Sequence, residues 1–433
     1  MLRTKLVIFG ITGDLSKRKL LPALEQIINT GKFDDLSIIG VSRQELHLDE
    51  LLRQSIGENS LEGRTSGFSM DVSNLDDYIR LKDFIDLQDD EQAIIYLSVP
   101  PGASTQIIEM LGQAKINSLN VKLLLEKPFG IDLASAHDMI EHVAKYYQES
   151  QVYRIDHYLA KEMSQNIMTF RGGNALFDHV WDNKSIEKIE ISALESIGIE
   201  GRAHFYEQTG ALRDLVQGHL MQLLAIILME TPEDFDWNDV PSLRLDALHK
   251  IAPADPEKAV RGQYIGYRDE VGNSDSITET FASITLASDH ALWQGVPLIL
   301  TTGKGLNEKE TEVRVHFRKS HESQTNCLIF KIQPSEGVEI ELNTKKPGYD
   351  REFETKKLSF SYPEDAVLPD AYEQVIVDAI RSRKSLFAGG DEVLRSWEIL
   401  SAVQQKWVTG DDLRLYNSGS SPDDILRDTP HLA

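Results

Sequence analysis

Two unlike halves are predicted from the chain. The first is an α/β N-terminal domain over residues 1–150, built on a Rossmann-like, doubly wound sheet. The second is an α+β C-terminal domain over residues 151–433 with a large, mainly antiparallel sheet. Three observations predict this division. Compact apolar runs alternate with helix-periodic segments through the first third of the chain, the βαβα order of a parallel sheet covered on both faces. A glycine-bearing turn, Gly10-Ile11-Thr12-Gly13, joins the first apolar run to the first helical segment. Past residue 153 the strand-like runs group together with helices to the side, the order of an α+β domain.

In chain order, apolar runs at 6–9, 36–41, 93–99 and 121–125 read as buried parallel strands. Helical spacing occupies 15–28, 48–56, 75–84, 105–114 and 133–147. Pro100-Pro101-Gly102 closes one strand and Lys127-Pro128-Phe129-Gly130 follows another, at the carboxyl ends where such sheets bind ligands. The second half opens with a helix at 161–177, a strand at 186–194 and a long helix at 210–229. Strands at 277–286, 298–302, 312–318, 327–332 and 338–342 come next, then helices at 371–382 and 392–407. Residues 418–433 read as a polar, mobile tail.

Composition narrows the function. Hydrophobic residues are 41% and charged residues 26%, a globular balance with ample length for a core. The formal charge of −24 excludes a nucleic-acid binder, which must neutralise phosphates, and an anionic membrane surface. A single cysteine, Cys327, leaves no internal disulfide, and without CxxC or HExxH no zinc signature is present. No metal is expected. The N-terminus runs straight into a strand without a signal-peptide layout, and the apolar stretch at 220–229 is short for a membrane span. A cytoplasmic protein is the expectation, and Asn183-Lys184-Ser185 is then a chance glycosylation match.

Three segments carry chemistry. In the first turn, Gly10 and Gly13 allow close backbone approach to a pyrophosphate, and the helix that Asp14 and Leu15 open supplies N–H donors. Set against G-x-G-x-x-G, Ile8 replaces the first glycine, and a tight turn with no ligand would need similar residues. At the end of the second strand stands Arg43 where an NAD site places an acid. A guanidinium suits a 2′-phosphate; the other reading is a surface arginine. NADP is therefore the expected cofactor, with NAD the weaker alternative.

Near the domain boundary, Asp156, His157, Tyr158 and Lys161 lie within one short segment, and the last three could clamp a phosphate. Downstream, Asp214 and His219 are five apart, ~500° around an α-helix at ~100° per residue, hence on diverging faces. His219 would need a carboxylate from elsewhere, with Asp156 one candidate. A carboxylate-oriented histidine is a general base for a hydroxyl proton; the other reading is a helix histidine with a hydrogen bond and no chemistry.

Together these segments resemble the glucose-6-phosphate dehydrogenase family. The resemblance rests on the stretches at 10–19, 126–130, 154–162 and 200–202, and on Arg213-Asp214 with His219. It continues through Gly303-Lys304 and the stretches at 332–336, 344–348 and 368–373, in the family's order, from about residue 5 to 407. It implies oxidation of D-glucose 6-phosphate at C1 to 6-phospho-D-glucono-1,5-lactone with reduction of NADP, the first step of the oxidative pentose phosphate pathway. By position, His219 matches the proton acceptor and Asp156 the carboxylate that orients it. His157, Tyr158 and Lys161 match the phosphate-holding residues, and Lys127 the lysine between sugar and nicotinamide. Glu195 and Asp214 match acids that bond sugar hydroxyls, Lys304 a further substrate contact, and Gln333 a polar position near the same pocket. Gly10, Thr12, Gly13, Asp14, Leu15 and Lys17 match the cofactor loop, and Arg43 the 2′-phosphate contact. A homodimer or homotetramer is implied.

The sequence departs from the family's pattern at Ala160, Gly218, Thr301 and His204, positions that the resemblance groups on the sugar side. Two alternatives follow: a paralogous dehydrogenase of another sugar or sugar phosphate, and a non-catalytic NADP-binding regulator. A set of proton acceptor and lysines has no use in a mere binding module. The negative charge does not oppose anionic ligands. Lys17, Arg43, Lys127, Lys161 and Lys304 are the positive residues assigned to the site, and charges beyond a Debye length of ~8 Å contribute little there.

Overall fold

In the computed structural model the chain forms two units. All residues are described except 1, 58–59, 178, 233, 320–324, 364–365, 410–411 and 428–433. Unit 1 comprises Met1–Ala160, Trp237–Pro241 and Pro369–Val393, and unit 2 the remainder.

The apolar runs of unit 1 make a seven-stranded sheet because each is buried on both faces; Val121–Leu125 is buried at every residue. The spatial order is Phe387–Ala388, Val152–Ile155, Val121–Leu125, Glu91–Leu97, Arg3–Phe9, Leu36–Ser42 and Thr65–Ser69. All pairs are parallel except that of the two-residue edge strand. Strand order reverses between Arg3–Phe9 and Glu91–Leu97, the switch point at which doubly wound sheets bind ligands. Thr65–Ser69 and Val152–Ile155 are strands in addition to those expected. The former buries only Phe68, so it carries no apolar run.

The division also differs from the expected boundary at 150. Unit 1 extends to Ala160, and a segment from late in the chain returns to it. Helix Ala371–Ile380 buries Val375, Ile376 and Ala379 in the same apolar cluster as Leu24, Ile28 and Phe33. Polar ties reinforce that packing: the Gln92 amide donates to the Ile380 carbonyl at 2.8 Å, and Lys122 donates to Ser382 Oγ at 2.7 Å.

Unit 2 carries a nine-stranded sheet. Its order is Phe353–Ser361, Gly337–Lys345, Cys327–Gln333, Glu310–Phe317, Ile186–Leu194, Leu298–Gly303, Phe281–Leu286, Ala259–Tyr264 and Arg414–Tyr416. Leu298–Gly303 runs parallel to Ile186–Leu194, and Arg414–Tyr416 parallel to Ala259–Tyr264; the other pairs are antiparallel. Ala259–Tyr264 and Phe353–Ser361 were not expected. The first is interrupted by Arg261 and Gln263, and the second is largely exposed.

The long helical stretch Ala203–Leu228 meets the length and composition of a membrane span, unlike the shorter apolar run expected, but most of it is buried in the interior. It is three pieces. Ala203–Ala211 is broken at Gly210 (φ 63°, ψ 177°), Leu212–Leu220 is π-helical, and Met221–Leu228 is α-helical with every residue buried. The expected mobile tail is instead packed as far as it is described. Gly419 N–H donates to the Gly305 carbonyl at 2.7 Å, and helix Pro422–Leu426 is capped by Ser421 and buries Ile425.

Candidate active site

The first strand of unit 1 ends at Phe9, and the chain turns on Gly10 with φ +81°. A Cβ at Gly10 would stand 2.2 Å from the Ser98 carbonyl oxygen, so no side chain fits there. Ser16 Oγ donates to the Gly10 carbonyl at 3.0 Å and lies 3.1 Å from Ser98 Oγ, tying the turn to the end of the neighbouring strand. Gly40 on the second strand leaves the space that the Ile11 side chain fills. The helix opens with a π-type turn, Ser16–Leu20, before Leu21–Asn29. Thr12 and Asp14 are exposed, Gly13, Leu15 and Lys17 half-buried, and Asp14 pairs with Arg18 at 2.7 Å. Arg43, exposed, follows strand Leu36–Ser42.

This arrangement fits a dinucleotide. A glycine-bearing turn at the switch point, with no side chain at Gly10, permits the close backbone approach that a pyrophosphate needs. Gly10, Thr12, Gly13 and Lys17 would hold the phosphates, and Arg43 would meet a 2′-phosphate.

After strand Val121–Leu125 come Glu126, Lys127 and a cis bond to Pro128. Lys127 Nζ lies 3.4 Å from Oδ2 of Asp156, whose side chain is 1% exposed. Oδ1 of Asp156 accepts the Tyr158 backbone N–H at 2.9 Å. His157 and Tyr158 lie edge to face, with ring centroids 5.1 Å apart. Beside them, the Tyr96 hydroxyl donates to Glu126 Oε1 at 2.5 Å. Loss of water raises the Glu126 carboxyl against the opposing pull of Tyr96 and Lys127. Burial first, and then the Glu126 charge, pushes the Tyr96 phenol well above its ordinary value.

In unit 2, Lys161 precedes helix Glu162–Gly172, and its charge acts on Glu336, whose carboxylate accepts the Met163 N–H at 3.0 Å. Glu195 follows strand Ile186–Leu194 and ion-pairs with Lys304, whose side chain is 4% exposed. The Lys304 ammonium lies 5.2 Å from the centroid of the Tyr206 ring. Burial drives the Tyr206 phenol upward, and the charges of Asp214, Glu279 and Glu195 add to it. Of the residues expected on the sugar, Lys304 thus lies by one buried tyrosine and pairs with Glu195, and the charge of Asp214 reaches the same phenol. His219 is buried in the last turn of the π-helix, and Asp214 lies in its first turn. The expectation of diverging faces used α-helical geometry. A π-helix bonds residue i to i+5, which brings residues five apart to one side.

Gln333 is half-buried, and its amide donates to Thr311 Oγ1 at 3.1 Å. Thr301 is hydrogen-bonded to Ser283 at 2.9 Å, in register with Ser192 and Ser283. Its place in the strand sets it on the sheet face opposite Leu300 and Thr302. His204 is exposed, with Gln208 3.3 Å away. Tyr96, Glu126, Tyr206 and Glu279 belong to these clusters and were not among the expected site residues. The family stretch at 126–130 contains Glu126 and could have flagged it; the other three stand in no motif. Among the described residues no group of three or more His, Cys, Asp or Glu side chains could hold a metal ion.

A doubly wound unit with a glycine-bearing turn at its switch point, on one chain with a unit carrying a lysine–carboxylate pair beside a buried tyrosine, defines a dinucleotide-dependent oxidoreductase. Comparison with known proteins gives the family. Residues 7–166 match the model for the glucose-6-phosphate dehydrogenase NAD binding domain, and residues 168–428 that for its C-terminal domain. The chain is 35% identical to glucose-6-phosphate 1-dehydrogenase of Borreliella burgdorferi, covering 97% of this chain and 95% of that one. It is 36% identical to the enzyme of Dickeya dadantii, covering 94% and 92%. A solved glucose-6-phosphate dehydrogenase in complex with glucose 6-phosphate superposes with a TM-score of 0.92 at 29% identity, covering 100% of this chain and 98% of that one. The glucose-6-phosphate 1-dehydrogenase of Mycobacterium avium superposes with a TM-score of 0.87 at 32% identity, covering 98% and 96%. The chain belongs to the glucose-6-phosphate dehydrogenase family.

Proposed function

We propose that this chain oxidises β-D-glucose 6-phosphate at C1 to 6-phospho-D-glucono-1,5-lactone. The observation that carries the reading is the Lys304–Glu195 ion pair beside buried Tyr206, whose phenol also feels the Asp214 charge. An ammonium beside an aromatic ring, paired with one carboxylate and within the field of a second, suits the hydroxyls of a sugar.

Each residue has a distinct task. His157, Tyr158 and Lys161 take the phosphate, while Glu195, Asp214 and Lys304 orient the ring. Gln333 lies toward the same sugar. His219 removes the C1 hydroxyl proton at an imidazole nitrogen, and the C1–O bond becomes the lactone carbonyl as the C1–H bond breaks. Asp156 stabilises the imidazolium, and Lys127 holds the reacting end of the sugar. When bound, NADP supplies the hydride acceptor. Binding energy from the distant phosphate positions the reacting carbon.

The setting proposed is the cytoplasm, in keeping with a single, buried cysteine. A homodimer or homotetramer is part of the same reading, supported by exposed Leu358 and Phe360 on the edge strand Phe353–Ser361 of the second sheet and Leu342 on the strand next to it. Light scattering on purified protein checks it. The reaction itself is tested by initial rates of nicotinamide reduction with glucose 6-phosphate, glucose and other sugar phosphates, with NADP and NAD in parallel. Glucose 6-phosphate with NADP should be the preferred pair, and activity confined to unphosphorylated sugar would overturn the reading.

A further inference from the structure

We infer that Glu279 is a positioning residue: its buried side chain fixes the start of the π-helix that carries Asp214 and His219. The inference rests on the role proposed above for His219.

Four observations converge on one point of unit 2. Gly210 breaks the helical stretch with φ 63° and ψ 177°. The space beside it is filled by Glu279: a Cβ at Gly210 would lie 2.4 Å from Oε1 and 2.9 Å from Oε2. Oε1 accepts the N–H of Leu212, the first residue of the π-helix, at 2.9 Å. The Glu279 backbone carbonyl accepts the N–H of Ala211, also at 2.9 Å. Two successive N–H groups at the head of the helix are thus held by one residue, where a new helix otherwise leaves its first donors without partners.

The same residue links the helix to the lysine of the sugar cluster. Its neighbour Thr280 accepts the Lys304 N–H through its carbonyl at 2.9 Å. The Thr280 hydroxyl lies 2.8 Å from the Tyr416 hydroxyl, and Tyr416 donates to the Lys304 carbonyl at 2.7 Å. The residue pair 279–280 therefore ties the head of the π-helix to the strand end that presents Lys304. A shift at Leu212 is passed along the helix to Asp214 and His219, because a π-helix spaces its residues differently from an α-helix. If Leu212 lost its acceptor, the stretch could relax to α-helical bonding and turn the two side chains apart.

The nature of the side chain matters. An acceptor at the N-terminal end of a helix is favoured by the exposed N–H groups and by the dipole. Burial raises the Glu279 carboxyl, while the Leu212 N–H and the charges of Arg213 and Arg261 oppose that rise. The contact needs an acceptor oxygen at this distance and does not need the charge, so glutamine should replace glutamate and alanine or aspartate should not.

The test compares Glu279→Gln, Glu279→Ala and Glu279→Asp with the wild-type chain, reading kcat, KM for both substrates, the pH profile of kcat and the melting temperature. For Glu279→Gln, kcat should stay within about threefold of wild type. For Glu279→Ala and Glu279→Asp, kcat should fall at least tenfold, with the acidic limb of the profile displaced and KM for NADP unchanged. If Glu279→Ala does not fold, the Gln and Asp variants decide: equal kcat in the two overturns the inference. A lowered melting temperature in Glu279→Ala with kcat and pH profile of wild type also overturns it. A His219→Asn control separates the two readings. Full activity there would overturn the role of His219 itself, whereas an inactive His219→Asn beside a fully active Glu279→Ala would overturn only the role of Glu279.

Discussion

Lys127 Nζ and Asp156 Oδ2 stand 3.4 Å apart, and the same carboxylate takes the Tyr158 backbone N–H through its other oxygen. One buried acid thus links the turn after strand Val121–Leu125 to the segment that holds His157 and Tyr158. Asp156→Asn keeps an acceptor for the Tyr158 N–H and removes the charge. In the proposed mechanism that charge stabilises the imidazolium, so kcat should fall roughly 10²–10⁴-fold, as when a carboxylate behind a catalytic histidine is neutralised. Stopped-flow and steady-state rates check it; a kcat within threefold of wild type would remove Asp156 from the mechanism.

The Lys304–Glu195 pair gives a different signature. Lys304 is assigned to the ground-state sugar as much as to the reacting state, so its loss should appear in KM. Lys304→Met, which keeps the packing on Tyr206, should raise KM for glucose 6-phosphate about 10–100-fold, the worth of one charged hydrogen bond. KM for NADP should not move. A variant that loses kcat alone would contradict the assignment.

Arg43 is exposed at the end of the second strand, with no acid beside it in the chain before Gln44 and Glu45. Arg43→Ala should raise KM for NADP by about 10–100-fold and leave NAD nearly untouched. Equal losses with both cofactors would refute a 2′-phosphate contact.

Acid stability should report on the second sheet. Burial would raise the Glu190 carboxyl, but hydrogen bonds from His316 at 2.6 Å and Lys188 at 2.8 Å outweigh it and hold the group at about 2. A value lowered on folding means stability that is complete above the ordinary carboxylate range and lost as pH falls from there toward 2. Glu190→Gln should therefore melt below wild type at pH 7, with the gap closing as the pH is lowered through that window. A gap independent of pH would contradict the pairing.

Much of the fold is legible in the sequence wherever burial is continuous. Residues 48–56, 121–125 and 186–194 form the expected elements with the expected bounds, because helical spacing, a nearly unbroken apolar run and near-alternation of apolar and polar residues mark them in turn. Strands that bury charge or little at all escape that logic. Ala259–Tyr264 buries Arg261, which ion-pairs with Asp412 at 2.9 Å, and Phe353–Ser361 is largely exposed. The return of Pro369–Val393 to unit 1 depends on packing against residues more than three hundred positions earlier, such as Lys19 paired with Asp370. For the candidate site, residues in motifs could be proposed from the sequence, and the residues that contact them could not. Tyr206 and Glu279 make contacts with Lys304 and Leu212, which no local pattern records. The π-helical bonding of Leu212–Leu220 likewise has no sequence period of its own, so the α-helical angle between Asp214 and His219 does not carry over to it.

In the proposed reaction His219 takes the C1 hydroxyl proton of glucose 6-phosphate. His219→Asn tests it most directly, with kcat and KM measured beside the dissociation constant for the sugar phosphate. In this variant kcat should fall roughly 10²–10⁴-fold, with glucose 6-phosphate binding almost as tightly as before. A near-normal kcat with a large rise in KM would contradict it.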